Sequence, residues 1–231
     1  MNCRCFDDGE GSIFYMDKNQ TILDILFRWN NNTREKVHSL KIVAINGSPR
    51  IKGNTSNMIR ESLKDAEALG NDVYYFDLAN MAINDCKACM KCKKDRGCSQ
   101  QDDMTRIYPL IEDADVLVLG SPIYMGDETG LMKCFIDRLY CFLVPNEKKN
   151  GLMSTLRAGK RALVIFTCQM PNGATLYNYI SVRYFNLFIN MLGFEDIRTY
   201  IIGGANPAQE LALTPQAMAV LPECRRFVTN K

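Results

Sequence analysis

The chain has a single histidine, His38, and it lies outside the glycine- and cysteine-containing motifs. Ser/His/Asp and Cys/His triads need an imidazole beside the nucleophile, so nucleophilic chemistry of that kind is disfavoured. Charge of one sign is lacking too. Twenty-eight basic residues face 26 acidic ones, a net charge of +2, which provides no general field for nucleic acid. The run Glu147-Lys148-Lys149 reads as a solvated loop. No apolar stretch approaches the roughly 20 residues needed to span a bilayer. The amino terminus, MNCRCFDDGEGS, lacks the basic-then-apolar order of a secretory signal. A cytoplasmic protein without a membrane or nucleic-acid partner is expected.

At 231 residues, 47% hydrophobic and 23% charged, the chain has the composition for one sizeable α/β core. From residue 41 onward, β-type apolar runs alternate with longer amphipathic segments, the pattern of βαβ units. Strands are predicted near 41–46, 72–77, 115–120, 161–167 and 197–202. Helices are predicted near 54–69, 103–113, 129–142, 174–192 and 207–228. The fold class is α/β, a flavodoxin-like doubly wound five-stranded parallel sheet with helices on both faces. Any ligand should sit beyond the carboxyl ends of the strands, at the switch in strand order.

Residues 1–40 do not fit this repeat and read as an amino-terminal arm before a domain spanning 41–231. Thr21 and Asp24 resemble a capping pair, and Ile22, Ile25, Leu26 and Trp29 recur at helical spacing. A helix this short cannot fold alone, so it must pack on the main domain or on a second subunit. A surface-packed extension without chemistry is the plain expectation for it, and crossing a dimer interface near the ligand is the sharper one.

The segment KIVAINGSPRIKGNTS, residues 41–56, is an apolar strand that breaks into a loop of small and hydroxylated residues leading into a helix. A helix start offers unpaired amides and the positive end of its dipole, which together receive an anion. Gly47 and Gly53 permit a tight turn and close approach. Ser48, Asn54, Thr55 and Ser56 supply neutral donors, and Arg50 and Lys52 add positive charge. Gly53 is followed by Asn54 rather than Lys, so a Walker A loop is disfavoured, and the G-x-G-x-x-G dinucleotide fingerprint is absent. What remains is a site for one terminal phosphate monoester, as on FMN.

Ten cysteines in a reducing compartment point to metal or redox chemistry rather than disulfides. Cys86, Cys89, Cys92 and Cys98 follow the second strand as C-x2-C-x2-C-x5-C. An evenly spaced triplet can converge from one loop onto a cubane, whereas four-thiolate zinc more often uses two separated C-x2-C knuckles. Reduced empty thiols, or a redox disulfide, stay open beside the iron-sulfur reading. Lys87, Lys91, Lys93, Lys94 and Arg96 would soften the charge of a cluster and suit docking to an acidic electron donor.

Two further loops follow the third and fourth strands. In the first, Pro122 stiffens the chain, amides near Ile123 to Met125 can reach the pyrimidine edge of a flavin, and Tyr124 can lie against its rings. The helix after it carries Cys134 and Cys141, read as small core residues, and Asp137 and Arg138, read as a structural or interface ion pair. The other loop runs from Thr167 to Gly173 and offers polar groups to the ring, with Cys168 read as a packing residue.

Together, NGSPRIKGNTS, CKACMKC, SPIYMGDETGLMKCFIDRL and TCQMPNG occur in the order found in the NADPH-dependent FMN reductase superfamily, and the cysteine spacing resembles that of its iron-sulfur flavoprotein branch. The resemblance covers roughly residues 41 to 205. It implies FMN at three loops, NAD(P)H as a transient electron donor, and a homodimer or homotetramer whose neighbouring chains close the pocket. By resemblance, Ser48, Arg50, Asn54, Thr55 and Ser56 hold the phosphate. Pro122, Ile123, Tyr124 and Met125 line the ring, together with Thr167 and Gly173. Cys86, Cys89, Cys92 and Cys98 would ligate a 4Fe-4S cluster, which a ferredoxin-like donor could serve. The implied activity is that of an FMN-dependent oxidoreductase, an NAD(P)H:FMN or quinone reductase. No protein residue is assigned as catalytic, because the flavin carries the chemistry. A non-enzymatic electron carrier and a thiol or metal redox sensor are the alternatives.

Overall fold

The structure is a computed structural model and describes residues 39–146, 148, 150–206 and 208–230, with two short strands nearer the amino terminus. The chain divides into two units, Met1–His38 and Ser39–Lys231. In the first unit, β1 (Cys5–Asp7) and β2 (Ile13–Tyr15) pair antiparallel. The helix expected around Thr21 to Trp29, and His38, lie outside the described residues.

The second unit is built on a five-stranded sheet of β3 (Lys41–Asn46), β4 (Asp72–Asp77), β5 (Val116–Pro122), β8 (Arg161–Thr167) and β9 (Asp196–Ile202). Their order is β4-β3-β5-β8-β9, and every pair is parallel. This is the flavodoxin-like arrangement, with the order reversing beside β3. The three central strands, β3, β5 and β8, are apolar runs because both faces are covered, whereas the edge strands β4 and β9 carry exposed polar residues. Val43, Ile45, Leu117, Leu119, Val164 and Phe166 point to one core, and Ile42, Ala44, Val116, Val118, Leu163 and Ile165 to the other.

Helix α1 (Asn54–Ala68) covers the second face through Met58, Ile59, Leu63 and Ala66. The carboxy-terminal α5 (Pro215–Thr229) joins it through Ala217, Leu221, Cys224 and Val228. The first face is covered by α2 (Met104–Asp113), α3 (Gly130–Arg138) and α4 (Asn178–Phe185).

Helix ends differ from expectation where local chemistry intervenes. Helix α3 stops at Arg138, passes into a 3-10 turn over Leu139–Phe142, and is followed by a hairpin of β6 (Leu143–Asn146) and β7 (Gly151–Ser154) that the periodicity did not reveal. The segment expected as one helix over 174–192 is a single turn, then α4, then a π-helical stretch over Asn186–Met191. Helix α5 begins at Pro215 rather than near 207, because Thr214 caps it, accepting from the Ala217 amide at 3.4 Å, and proline suits the first turn.

Lys160 is 1% exposed just before β8, and its Nζ donates to the carbonyls of Ile111, Glu112 and Ala114 at 2.8, 2.8 and 2.5 Å. It thereby closes the carboxyl end of α2, where helix carbonyls otherwise lack partners.

Candidate functional site

The loop between β3 and α1 is shaped by Asn46, a buried residue that the sequence reading passed over. Its Nδ2 donates to Asp77 at 2.7 Å, and its Oδ1 accepts from the Ser48 amide at 3.1 Å. The Ser48 hydroxyl accepts from the Arg50 amide at 3.1 Å, and the Gly53 amide donates to the Arg50 carbonyl at 3.1 Å. These bonds fold the loop over the start of α1. Helix α1 has no side-chain cap and no acidic residue in its first turn, so its leading amides and dipole are left to an external anion.

Gly47 is required by space. A Cβ there would sit 2.8 Å from the Met132 Cβ and 3.3 Å from the Gly120 carbonyl oxygen. Neither Gly47 nor Gly53 has a left-handed backbone, so close approach rather than turn geometry explains the first. Thr129 ties this loop to α3. Its hydroxyl donates to the Gly47 carbonyl at 2.6 Å and accepts from the Met132 amide at 3.2 Å.

The second loop is a tight turn in which the amides of Tyr124 and Asp127 exchange bonds with each other's carbonyls at 2.8 and 3.1 Å. Met125 and Gly126 adopt left-handed conformations at φ 51° and 92°. Helix α4 holds the turn: Tyr179 donates to the Gly126 carbonyl, and Arg183 pairs with both Asp127 and Glu128. Burial pushes the Glu128 carboxyl up, while its neighbours keep Asp127 below the usual carboxylate range.

One cleft at the carboxyl edge of the sheet gathers Ser48, Arg50, Asn54 and Thr55 from the first loop, Pro122, Ile123 and Tyr124 from the second, and Thr167 from the third. Cys168, Gln169 and Ala205 complete its wall, with Cys168 also packed in the core. Among the described residues no carboxylate lines it. The Thr55 and Thr167 hydroxyls are 2.7 Å apart, and the Ile123 amide donates to the Thr167 carbonyl at 2.8 Å, so the loops meet directly. The loop after β9, which carries Ala205, was not singled out from sequence. Its link is Asn54, which donates to the Asn206 carbonyl at 2.9 Å and accepts from the Leu211 amide at 3.1 Å.

Three of the residues expected at the ligand lie outside this wall. The Ser56 hydroxyl donates to the Ile51 carbonyl at 2.7 Å and accepts from Tyr75 at 3.2 Å, bracing the loop from behind. The Met125 side chain is fully exposed. Gly173 is buried against Cys168, where a Cβ would come within 2.1 Å of the sulfur.

A second site lies in the segment between β4 and α2. Cys86, Cys89, Cys92 and Cys98 all line one small cavity, together with Gln100, Arg138, Tyr140 and Cys141. Left-handed residues at Ala88, Met90, Arg96 and Gly97 curl the chain around it. Cys92 and Cys98 pack on the core, while Cys89 is exposed. The Ser99 hydroxyl, 3.5 Å from the Cys89 sulfur, and the Lys91 amide hold the Cys89 thiol below its ordinary value. Among the described residues no three His, Cys, Asp or Glu side chains converge closely enough for a single metal ion. The four loop thiols around this cavity, with Cys141 beside them, are of the donor type that an iron-sulfur group takes.

Three charged residues here differ from expectation. Lys93 donates to the carbonyls of Tyr140 and Leu143 and lies 3.5 Å above the Tyr140 ring, so it pins the loop instead of offering a free charge. Asp137 pairs with Lys133 rather than with Arg138, and Arg138 is buried against Asp102.

A model of the NADPH-dependent FMN reductase family matches residues 40–192. An iron-sulfur flavoprotein of Archaeoglobus fulgidus is 30% identical over 169 residues, 73% of this chain and 79% of that protein. One of Clostridioides difficile is 40% identical over 105 residues, 44% of this chain, and the match spans about half of its length, at 47%. In fold, the chain is similar to an NAD(P)H:quinone oxidoreductase of Methanothermobacter marburgensis, with a TM-score of 0.65 at 15% identity, covering 83% of this chain and 98% of the other. Among the described residues no helix is long and apolar enough to cross a membrane. The chain belongs to the NADPH-dependent FMN reductase family, in its iron-sulfur flavoprotein branch.

Proposed function

We propose that the three-loop cleft binds FMN with its phosphate at the start of α1 and its ring between the second and third loops. The chain is a flavin-dependent oxidoreductase of this family. The observation that carries the placement is the uncapped amino terminus of α1 opening into a cleft that no carboxylate lines among the described residues. Ser48 and Thr55 hydroxyls, with Arg50, suit a phosphate monoester. Asn54 acts through the Asn206 carbonyl, and Ser56 through the Ile51 carbonyl, to keep the helix start in place. Pro122, Ile123 and Tyr124 form one wall for the ring, and Thr167 borders its edge. Met125, fully exposed on a held turn, suits contact with a second copy of the chain across the pocket. Gly173 keeps Cys168 packed behind that edge.

When bound, FMN supplies the hydride and one-electron chemistry, and the chain supplies position and exclusion of water. NAD(P)H would stack transiently on the ring, since no dinucleotide fingerprint is present. Cys86, Cys89, Cys92 and Cys98 would hold a 4Fe-4S cluster, with a ferredoxin-like protein as a fitting one-electron donor. A homodimer or homotetramer and a separate amino-terminal arm over residues 1–40 complete the proposal.

An anaerobic ultraviolet-visible spectrum of fresh protein, with flavin, iron and sulfide assays, tests both sites. Protein that stays colourless after incubation with FMN overturns the flavin site, and protein without iron and sulfide overturns the cluster. Turnover of NADH or NADPH separates the enzyme from a non-enzymatic electron carrier. Flavin-free protein with reactive thiols would favour a redox sensor.

A further inference from the structure

Among the described residues the cysteine cavity has five thiols in its wall, not four. Cys141, 6% exposed, enters it from the 3-10 turn that continues α3. It lies three residues beyond Arg138, which lines the same cavity, so one helical face presents a guanidinium and a thiol side by side. Cys141 belongs to the same core cluster against which Cys92 and Cys98 pack, whereas Cys89 is exposed on the outer side. The Tyr108 hydroxyl lies beside both Cys98 and Cys141 and accepts from Arg138 at 3.1 Å. In the same wall, Gln100 donates through Nε2 to the Asp85 carbonyl at 2.9 Å and leaves a buried Oε1 without a partner among the described residues. The wall thus includes a buried acceptor that still calls for a donor.

We propose that Cys141 is a reserve ligand, able to replace the exposed Cys89 on the iron-sulfur group that the cavity is proposed to hold. The inference rests on that reading of the four loop cysteines. The three inner thiols, Cys92, Cys98 and Cys141, stand on rigid packing, and Cys89 is the position open to solvent and to thiol reagents. Replacement is a ligand exchange. The bond from iron to the Cys89 sulfur breaks, one to the Cys141 sulfur forms, and the Cys141 proton passes to the departing thiolate, with no change in oxidation state.

The test uses the full chain with Cys89→Ser, Cys141→Ser and the double variant, each reconstituted anaerobically with ferrous iron and sulfide. Iron and sulfide per chain are measured, with bound FMN as the control for folding. Cys141→Ser alone should keep wild-type iron, and Cys89→Ser should keep at least about half of it, as four-thiolate ligation survives. The double variant should lose most of its iron, because only three thiolates then remain. Equal loss in Cys89→Ser and in the double variant overturns the reserve role while leaving the cluster site intact. Wild-type protein that takes up no iron and sulfide overturns the cluster reading and the reserve role with it.

Discussion

Arg138 and Asp102 form a buried ion pair, with Nη1 to Oδ2 at 2.5 Å, Nη2 to Oδ1 at 3.1 Å, and side-chain exposures of 0% and 3%. The same guanidinium donates to the Asn84 carbonyl at 2.9 Å, and Asp102 accepts from the amides of Asn84 and Met104, both at 3.1 Å. Asn84 and Asp102 flank Cys86 to Cys98. One ion pair therefore ties both ends of the cysteine segment to the end of α3.

Removing one partner leaves the other charge buried, so Arg138→Met should destabilise the protein by about 3–5 kcal/mol. The double variant Arg138→Met/Asp102→Leu should recover most of that, because neither charge remains. Urea unfolding of the three proteins checks this, and a double variant no more stable than Arg138→Met would count against it. Burial opposes the Asp102 charge, yet Arg138 and the two amides outweigh it and hold the carboxyl below the usual range. The stability it contributes is therefore present above the unfolded carboxylate pKa and is lost as pH falls through the lower folded value.

Lys160 should give a pH signature of the same sign in an alkaline window. Burial pushes its ammonium down to about 8 against an ordinary 10.5. Between those values the folded state gives up its proton first, so unfolding free energy should rise with pH from about 8 to 10, by about 1–3 kcal/mol. Lys160→Met should abolish that rise and strand three carbonyls, costing about 2–3 kcal/mol near neutral pH. Denaturation midpoints of both proteins across this range decide it, and a rise of equal size in the variant would assign it to other groups.

At the cleft, Ser48→Ala and Arg50→Ala should each weaken FMN binding by about 1 kcal/mol, roughly fivefold, with the Arg50 contribution shrinking as salt is added. Gly47→Ala forces a methyl to 2.8 Å from the Met132 Cβ, and overpacking of this kind costs about 1–3 kcal/mol. It should lower both FMN affinity and stability. Titration by flavin fluorescence measures the affinities, and unchanged binding in all three variants would move the phosphate elsewhere.

In metal-free protein, iodoacetamide should label Cys89 first among the cysteines of residues 39–230, since that thiol is exposed and Ser99 and Lys91 favour it as thiolate. Ser99→Ala should slow the labelling. Peptide mass spectrometry over a time course reads this directly, and preferential labelling of Cys86 would contradict it.

Much of the fold was legible because β3 and β8 are short apolar runs bounded by turn residues, and their bounds match the expected ranges. The hairpin of β6 and β7 was not legible. Four-residue strands around a charged tip carry too little alternation to stand out from the end of a helix. At the cleft, the hydroxyls of Ser48, Thr55 and Thr167 could be read as donors in loops. Asn46 could have been found as a polar residue closing an otherwise apolar strand directly before a glycine.

Sequence by itself determined the strand and helix alternation, the loop chemistry after β3, β5 and β8, and the spacing of the four loop cysteines. These are local properties, fixed by periodicity and backbone restriction over a few residues. Tertiary structure alone decided that Arg138 meets Asp102 across 36 positions, that Lys93 reaches Tyr140 across 47, and that Cys141 shares a cavity with the cysteine loop. Such pairings depend on how helices settle on the sheet, because burial selects partners by shape and charge in space and leaves no periodic mark along the chain.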